Sequence, residues 1–394
     1  MHEIKSTSPD TLCSHLGRGD NPRSGFVNPP TTRGSTKLYP TLQQFIDAGP
    51  DKLDPTKTQY GIYGTETTRE LEKLLAVLDG AYASMVMPSG LNAITTSLLA
   101  FLKNGDHILV PDNVYEPTRK FCDNLLKHLG INTTYYPPDL DINIADYLQE
   151  NTRVLYVEAP GSLTMEVPDL AKFIKIARDR NITSILDNTW ATSINYPAIE
   201  NGFNVSIQAG TKYIGGHSDI MLGVITCDEA HWLPLRHCYD LLGSSPGSEE
   251  TTLALRGLRS MPTRLRTHAR SAMKVATWLE QQPAVSRVFY PALESSPSFA
   301  NFTANFKGAT GLLSFELHPC SKQALHRFVD GLNYFGIGAS WGGYESLISA
   351  GNPASRRTVS HWPADRPAVR LSIGLEDVDD LIDDLDQGLA RLND

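Results

Sequence analysis

Between residue 68 and residue 207 short apolar runs alternate with segments of helix length, and this alternation restricts the fold more than any other feature of the chain. The spacing predicts strands at 83–87, 107–110, 153–157, 183–186 and 205–207, and helices at 90–102, 116–129 and 169–178. An earlier helix starts near Thr68, carries Leu71, Leu74, Leu75 and Leu78 on one face, and is closed by Gly80. Short apolar runs joined through helices read as parallel strands buried on both faces. The expected fold class is α/β, a mostly parallel sheet covered by helices on both sides.

Outside this stretch the pattern changes. The first fifty or so residues, including Asn28-Pro29-Pro30-Thr31-Thr32-Arg33-Gly34, hold no sustained period and predict an arm that leans on another surface. Residues 251–279 predict one long helix, with Arg256, Arg259, Arg264, Arg266 and Arg270 expected on a solvated or interfacial face. Beyond Pro283, strand-like runs at 312–317 and 369–373 and an acidic helix at 377–392 predict a smaller α+β C-terminal domain. With 394 residues and 41% hydrophobic content there is material for two packed cores.

A net charge of -9 leaves no broad basic surface to attract nucleic acid or anionic lipid, so a small-molecule substrate is expected. Residues 1–7 hold no apolar run of leader length, and no stretch reaches the ~18 apolar residues of a membrane helix, so a cytoplasmic enzyme is expected. The five cysteines, Cys13, Cys122, Cys227, Cys238 and Cys320, include no C-x-x-C pair and read as reduced thiols. His217-Ser218-Asp219 and the histidines at 231 and 237 lack metal-binding spacing, and no metal is expected.

Ligands of an open parallel sheet sit beyond the carboxyl ends of its strands. Three such ends carry a matched set. Asp187 follows the run at 183–186, Thr211-Lys212 follows 205–207, and Ser89-Gly90 follows 83–87 and opens a helix. A carboxylate can pair with a protonated pyridine nitrogen, a lysine one β-unit later can form a Schiff base with an aldehyde, and helix-start N–H groups can hold a phosphate. Each piece alone is ordinary. Together they point to pyridoxal 5'-phosphate (PLP).

The chain resembles the Cys/Met-metabolism family of PLP-dependent enzymes over about 10–392. The resemblance is carried by residues 82–93, Ala159-Pro160-Gly161-Ser162-Leu163-Thr164-Met165-Glu166-Val167, Asp187-Asn188-Thr189-Trp190, residues 206–213, Ser340-Trp341-Gly342-Gly343-Tyr344-Glu345-Ser346-Leu347 and Arg370-Leu371-Ser372-Ile373-Gly374-Leu375-Glu376-Asp377. It implies a fold-type-I PLP enzyme with an N-terminal arm at 1–58, a PLP-binding domain at 59–255 and a C-terminal domain at 256–394. It also implies a homotetramer, a dimer of dimers with shared active sites.

By the resemblance, Lys212 and Tyr115 are catalytic, and Tyr115 stacks on the cofactor. Asp187, Gly90, Leu91, Thr189 and Thr211 bind PLP within the chain, and Tyr60 reaches the neighbour's cofactor. Arg370 clamps the substrate carboxylate, with Ser340, Trp341 and Ser162 beside it. Ser162 and Trp341 fit the branch that cleaves L-cystathionine by β-elimination, giving homocysteine, pyruvate and ammonia for methionine synthesis. A γ-acting relative is the first alternative, and a PLP aminotransferase the second. One position departs from the family, since Ile62 stands where an arginine normally binds the neighbour's cofactor phosphate.

Overall fold

A seven-stranded sheet carries the positions predicted above. The computed structural model describes residues 7–19, 25–138, 140–363 and 365–393, so the reading of residues 1–6 lies outside the described residues. The strands are β1 (Ala83–Met87), β2 (His107–Pro111), β3 (Asn132–Tyr136), β4 (Thr152–Glu158), β5 (Thr183–Asp187), β6 (Val205–Ala209) and β7 (Gly223–Cys227), in the order β1-β7-β6-β5-β4-β2-β3. From β3 through β6 all neighbours are parallel. Strand β7 runs antiparallel between β1 and β6.

Every residue of β1, β2 and β7 is buried, as continuous apolar runs require when both faces are covered. The helix Glu66–Asp79 starts on a capping box formed by Thr65 and Thr68 and ends at Gly80, whose φ of 64° suits glycine. Its Leu71, Leu74 and Leu75 are buried against Ile214, Leu222 and Leu258.

A second sheet holds β8 (Val285–Phe289), β9 (Leu312–Leu317), β10 (Gly336–Ile337), β11 (Leu347–Gly351) and β12 (Ala368–Ser372), in the order β10-β11-β12-β9-β8. One apolar cluster runs from the first sheet into the second, through Leu155, Leu186, Trp190, Leu313 and Phe315. Trp190 joins them by polarity as well, since its indole N–H donates to Leu312 O at 3.0 Å. The acidic helix Val378–Ala390 is capped by Asp377 and buries Leu381, Leu385 and Leu389.

The long helix Ser248–Leu279 corrects one expectation. Arg256, Arg266 and Arg270 are exposed, but Arg264 is buried and donates to Tyr213 O and Gly257 O, each at 2.8 Å. Arg259 donates to Cys13 O at 2.6 Å and Gly17 O at 2.8 Å. Each of these guanidinium groups reaches more than one backbone carbonyl, a task for which a planar fork with several N–H groups is suited. In the arm, short helices at Pro9–His15 and Leu42–Asp47 were not predicted, and Phe26, Leu38 and Leu42 are 82%, 87% and 73% exposed. All five cysteines are free thiols. Among the described residues no helix is long and apolar enough to cross a membrane.

Candidate active site

The carboxyl ends of β4, β5 and β6 open into one cavity of about 380 Å³. Gly90, Leu91, Tyr115, Asp187, Lys212 and Arg370 line it, and Ser162, Thr189, Thr211 and Trp341 border the same space.

Lys212 enters from a turn after β6, closed by its own N–H donating to Ala209 O at 3.0 Å. Its Nζ donates to Ser340 Oγ at 2.8 Å and lies 5.2 Å from the centroid of the Trp341 ring. Burial and repulsion from Arg370 bring its pKa down to about 8, against the opposing pull of Asp187. An amine with that pKa has a sizeable neutral fraction near pH 8, which is the form that attacks an aldehyde or accepts a proton.

Asp187 is the last residue of β5 and is buried. Its Oδ1 accepts from Thr189 N at 3.1 Å and Thr189 Oγ1 at 2.6 Å, and its Oδ2 accepts from Tyr156 OH at 3.4 Å. Tyr115 precedes the helix turn Glu116–Lys120, and partial burial together with the charge of Asp187 pushes its phenol up, so it is neutral at physiological pH. Arg370, on β12, donates from Nη2 to Ala339 O at 2.7 Å and Ser340 O at 3.4 Å. Its Nε and Nη1 make no hydrogen bond with the described residues.

At the start of the helix Gly90–Phe101, Ser89 Oγ accepts from Asn92 N at 3.1 Å. A Cβ on Gly90 would come within 2.7 Å of the Ala209 Cβ, so no side chain fits there. The N–H groups of Gly90 and Leu91 have no hydrogen-bond partner among the described residues, as expected of a first helical turn, and they border the cavity. A phosphate at this turn, a pyridine nitrogen at Asp187 and an aldehyde at Lys212 match the donor and acceptor set that PLP requires.

The Thr211 hydroxyl accepts from Leu222 N at 3.0 Å and donates to Leu222 O at 3.3 Å, so it is shared with the backbone. Tyr60 does not line the cavity; it is 48% exposed, and its ring meets Tyr63 edge-on at 6.5 Å. Its segment is held by its carbonyls, with Tyr239 OH donating to Ile62 O at 3.0 Å and Arg236 to Tyr63 O at 3.4 Å. Sequence reading passed over Glu158, which lines the cavity and accepts from Tyr115 N at 2.7 Å. The signal was available, because Glu158 directly follows the run at 153–157 and therefore stands at a strand's carboxyl end.

Residues 10–390 match the profile of the Cys/Met metabolism PLP-dependent enzymes. A cystathionine beta-lyase of Haemophilus influenzae is 38% identical, covering 97% of this chain and 98% of that protein. An L-alanine/L-glutamate racemase of Wolbachia pipientis is 37% identical, over 97% of each chain. Among solved structures, a cystathionine gamma-lyase from Lactobacillus plantarum, complexed with L-serine, superposes with a TM-score of 0.89 at 28% identity, covering 98% of this chain and 100% of that one. A match over nearly the whole chain, on a fold of that type and around a cavity with those groups, means that this protein belongs to the Cys/Met metabolism family of PLP-dependent enzymes.

Proposed function

We propose that the protein is a carbon–sulfur β-lyase that cleaves L-cystathionine to homocysteine, pyruvate and ammonia, as a step toward methionine. The observation that carries this reading is the contact of Lys212 with Ser340 and Trp341 in the cavity that also holds Asp187 and Arg370. Ser162 and Trp341, the two positions that separate β-acting from γ-acting relatives, both border that cavity. The name of the Haemophilus influenzae relative points the same way.

PLP, when bound, supplies an electron sink for the charge left on the substrate Cα. Lys212 would hold it, Asp187 would pair with its ring nitrogen, and Gly90 and Leu91 would hold its phosphate through backbone N–H groups. Tyr115 covers its face, and Thr189 and Thr211 support Asp187 and Lys212. Arg370 fixes the α-carboxylate of the substrate in two parallel bonds, which sets the Cα–H bond toward Lys212. Once the substrate amine has replaced it on the cofactor, the freed amine of Lys212, in its neutral form, would take the Cα proton, and Ser340 would keep that amine in line. Only one proton transfer is needed before a β-thiolate leaves, whereas γ-elimination requires a second at Cβ.

The reading extends to organisation. The arm at 1–58, the PLP-binding domain at 59–255 and the C-terminal domain at 256–394 form a cytoplasmic homotetramer of two dimers. Tyr60 of one subunit completes its neighbour's site, which accords with its exposure and its distance from its own cavity. A second reading, amino-acid racemisation, is favoured by the Wolbachia pipientis relative alone. Incubating purified protein with L-cystathionine and identifying the keto acid tests the proposal. Pyruvate is expected. 2-Oxobutyrate would move the assignment to the γ-acting branch, and absence of keto acid together with D-alanine formed from L-alanine would move it to racemisation.

A further inference from the structure

Glu158 ends β4 and Asp187 ends β5, and the two strands pair in parallel register with Glu158 opposite Asp187. Opposite residues on neighbouring strands have backbones about 4.8 Å apart, and both carboxyl groups line one cavity. Their hydrogen bonding is unequal. Asp187 accepts from Thr189 N, Thr189 Oγ1 and Tyr156 OH, and Lys212 stands on the same cavity wall. Glu158 accepts from Tyr115 N at 2.7 Å.

The groups facing Glu158 are mostly neutral or acidic: Tyr136 on β3, Tyr156 on its own strand, Tyr115 before the next helix and Asp187 on β5, with the guanidinium of Arg357 acting from the loop after β11. Two carboxylates so close in a desolvated site cannot both stay charged, and the one that accepts more hydrogen bonds keeps the charge. Asp187 is that one. Burial, then the charge of Asp187, pushes the Glu158 carboxyl well above the usual range, in agreement with the geometry.

We propose that Glu158 is a positioning residue, which as a neutral carboxyl group fixes the backbone of Tyr115 at the cavity wall and leaves the negative charge of the pair on Asp187. This rests on the reading that Lys212, Asp187 and Tyr115 hold PLP. The role is distinct from contact with the cofactor, because the bond from Tyr115 is made by its backbone N–H and leaves its ring free to cover the ligand.

The test is a spectrophotometric pH titration of the lysine-linked cofactor in the holoenzyme, compared for wild type, Glu158→Gln and Glu158→Ala, with kcat/KM measured on each. Glutamine keeps an oxygen for Tyr115 N and carries no charge. Its titration midpoint is expected within about 0.3 unit of wild type, because no charge has been removed. Alanine removes the acceptor, and kcat/KM is expected to fall on the order of tenfold, most of it restored in the glutamine variant. A midpoint lowered by about one unit or more in Glu158→Gln would mean that Glu158 is an anion and would overturn the proposal. So would an alanine variant as active as wild type. The glutamine comparison stands even if the alanine protein does not fold. Absence of a titrating band in wild type would instead overturn the underlying PLP reading, and the inference with it.

Discussion

Lys212, Asp187 and Gly90 could be gathered at one cavity from the sequence because they stand just past strand ends that the apolar runs mark. The structure adds why each position admits little else: Gly90 has no room for a Cβ against Ala209, and Lys212 sits where burial and Arg370 keep part of it neutral. The pairing of Glu158 with Asp187 and the Thr211–Leu222 bonds were not legible, since both depend on register between strands and on which lone pairs the backbone has already used. The resemblance implies an arginine where Ile62 stands. Ile62 is half-buried, and its backbone carbonyl is fixed by Tyr239. If this segment faces the neighbour's phosphate as the family resemblance implies, Ile62→Arg adds a charge-assisted hydrogen bond of about 1.5–3 kcal/mol, which slows PLP loss on dialysis by roughly 10- to 100-fold. Dialysis of variant and wild type, with bound PLP followed by absorbance, checks this. Faster loss, or an oligomer that falls apart, would show instead that the position packs apolar surface.

Between elements, one contact is announced by no local pattern. Asp112, just past β2 and buried, accepts from Thr358 N at 2.9 Å and Ser360 N at 2.8 Å, and from Arg119 Nη2 at 2.6 Å. It thereby ties the loop between β11 and β12 to the first sheet, while Arg357 of that loop donates to Thr164 Oγ1 at 2.7 Å. Burial raises the Asp112 pKa, but hydrogen bonds from Ser360 and Thr358 outweigh it and hold it at about 2, below the ordinary 3.8. A carboxyl depressed in the folded state stabilises fully above its unfolded pKa, and that contribution, about 2 kcal/mol, is lost as pH falls from about 4 to about 2. Asp112→Asn should lower stability at pH 7 by about 3 kcal/mol and flatten the acid dependence in that window. Urea melts at several pH values measure both; a variant with wild-type stability at pH 7 would refute the clamp. The strands missed from sequence have physical reasons of the same kind. Strand β3, Asn132–Tyr136, is a half-exposed edge with few apolar residues, and β7 is antiparallel, so no crossover helix marks it.

At the scale of the molecule, the α/β alternation foretold five of the seven strands of the first sheet, and the runs near 312 and 369 foretold two strands of the second. What the alternation could not supply is how the sheets meet, because that depends on long-range packing such as Trp190 against Tyr290, Phe302 and Phe306. This packing brings Arg370 and Trp341 to the strand ends of the first sheet, so the cavity exists only when both sheets are assembled. The exposed apolar residues of the arm, Phe26, Leu38 and Leu42, are what a surface buried by a second copy would look like before association. The account as a whole stands on one covalent link. Borohydride reduction of the purified holoenzyme, digestion and mass spectrometry should place a reduced pyridoxyl-phosphate group on Lys212, with the adduct lost in Lys212→Ala. An adduct on a different lysine, or one that persists unchanged in Lys212→Ala, would contradict the account.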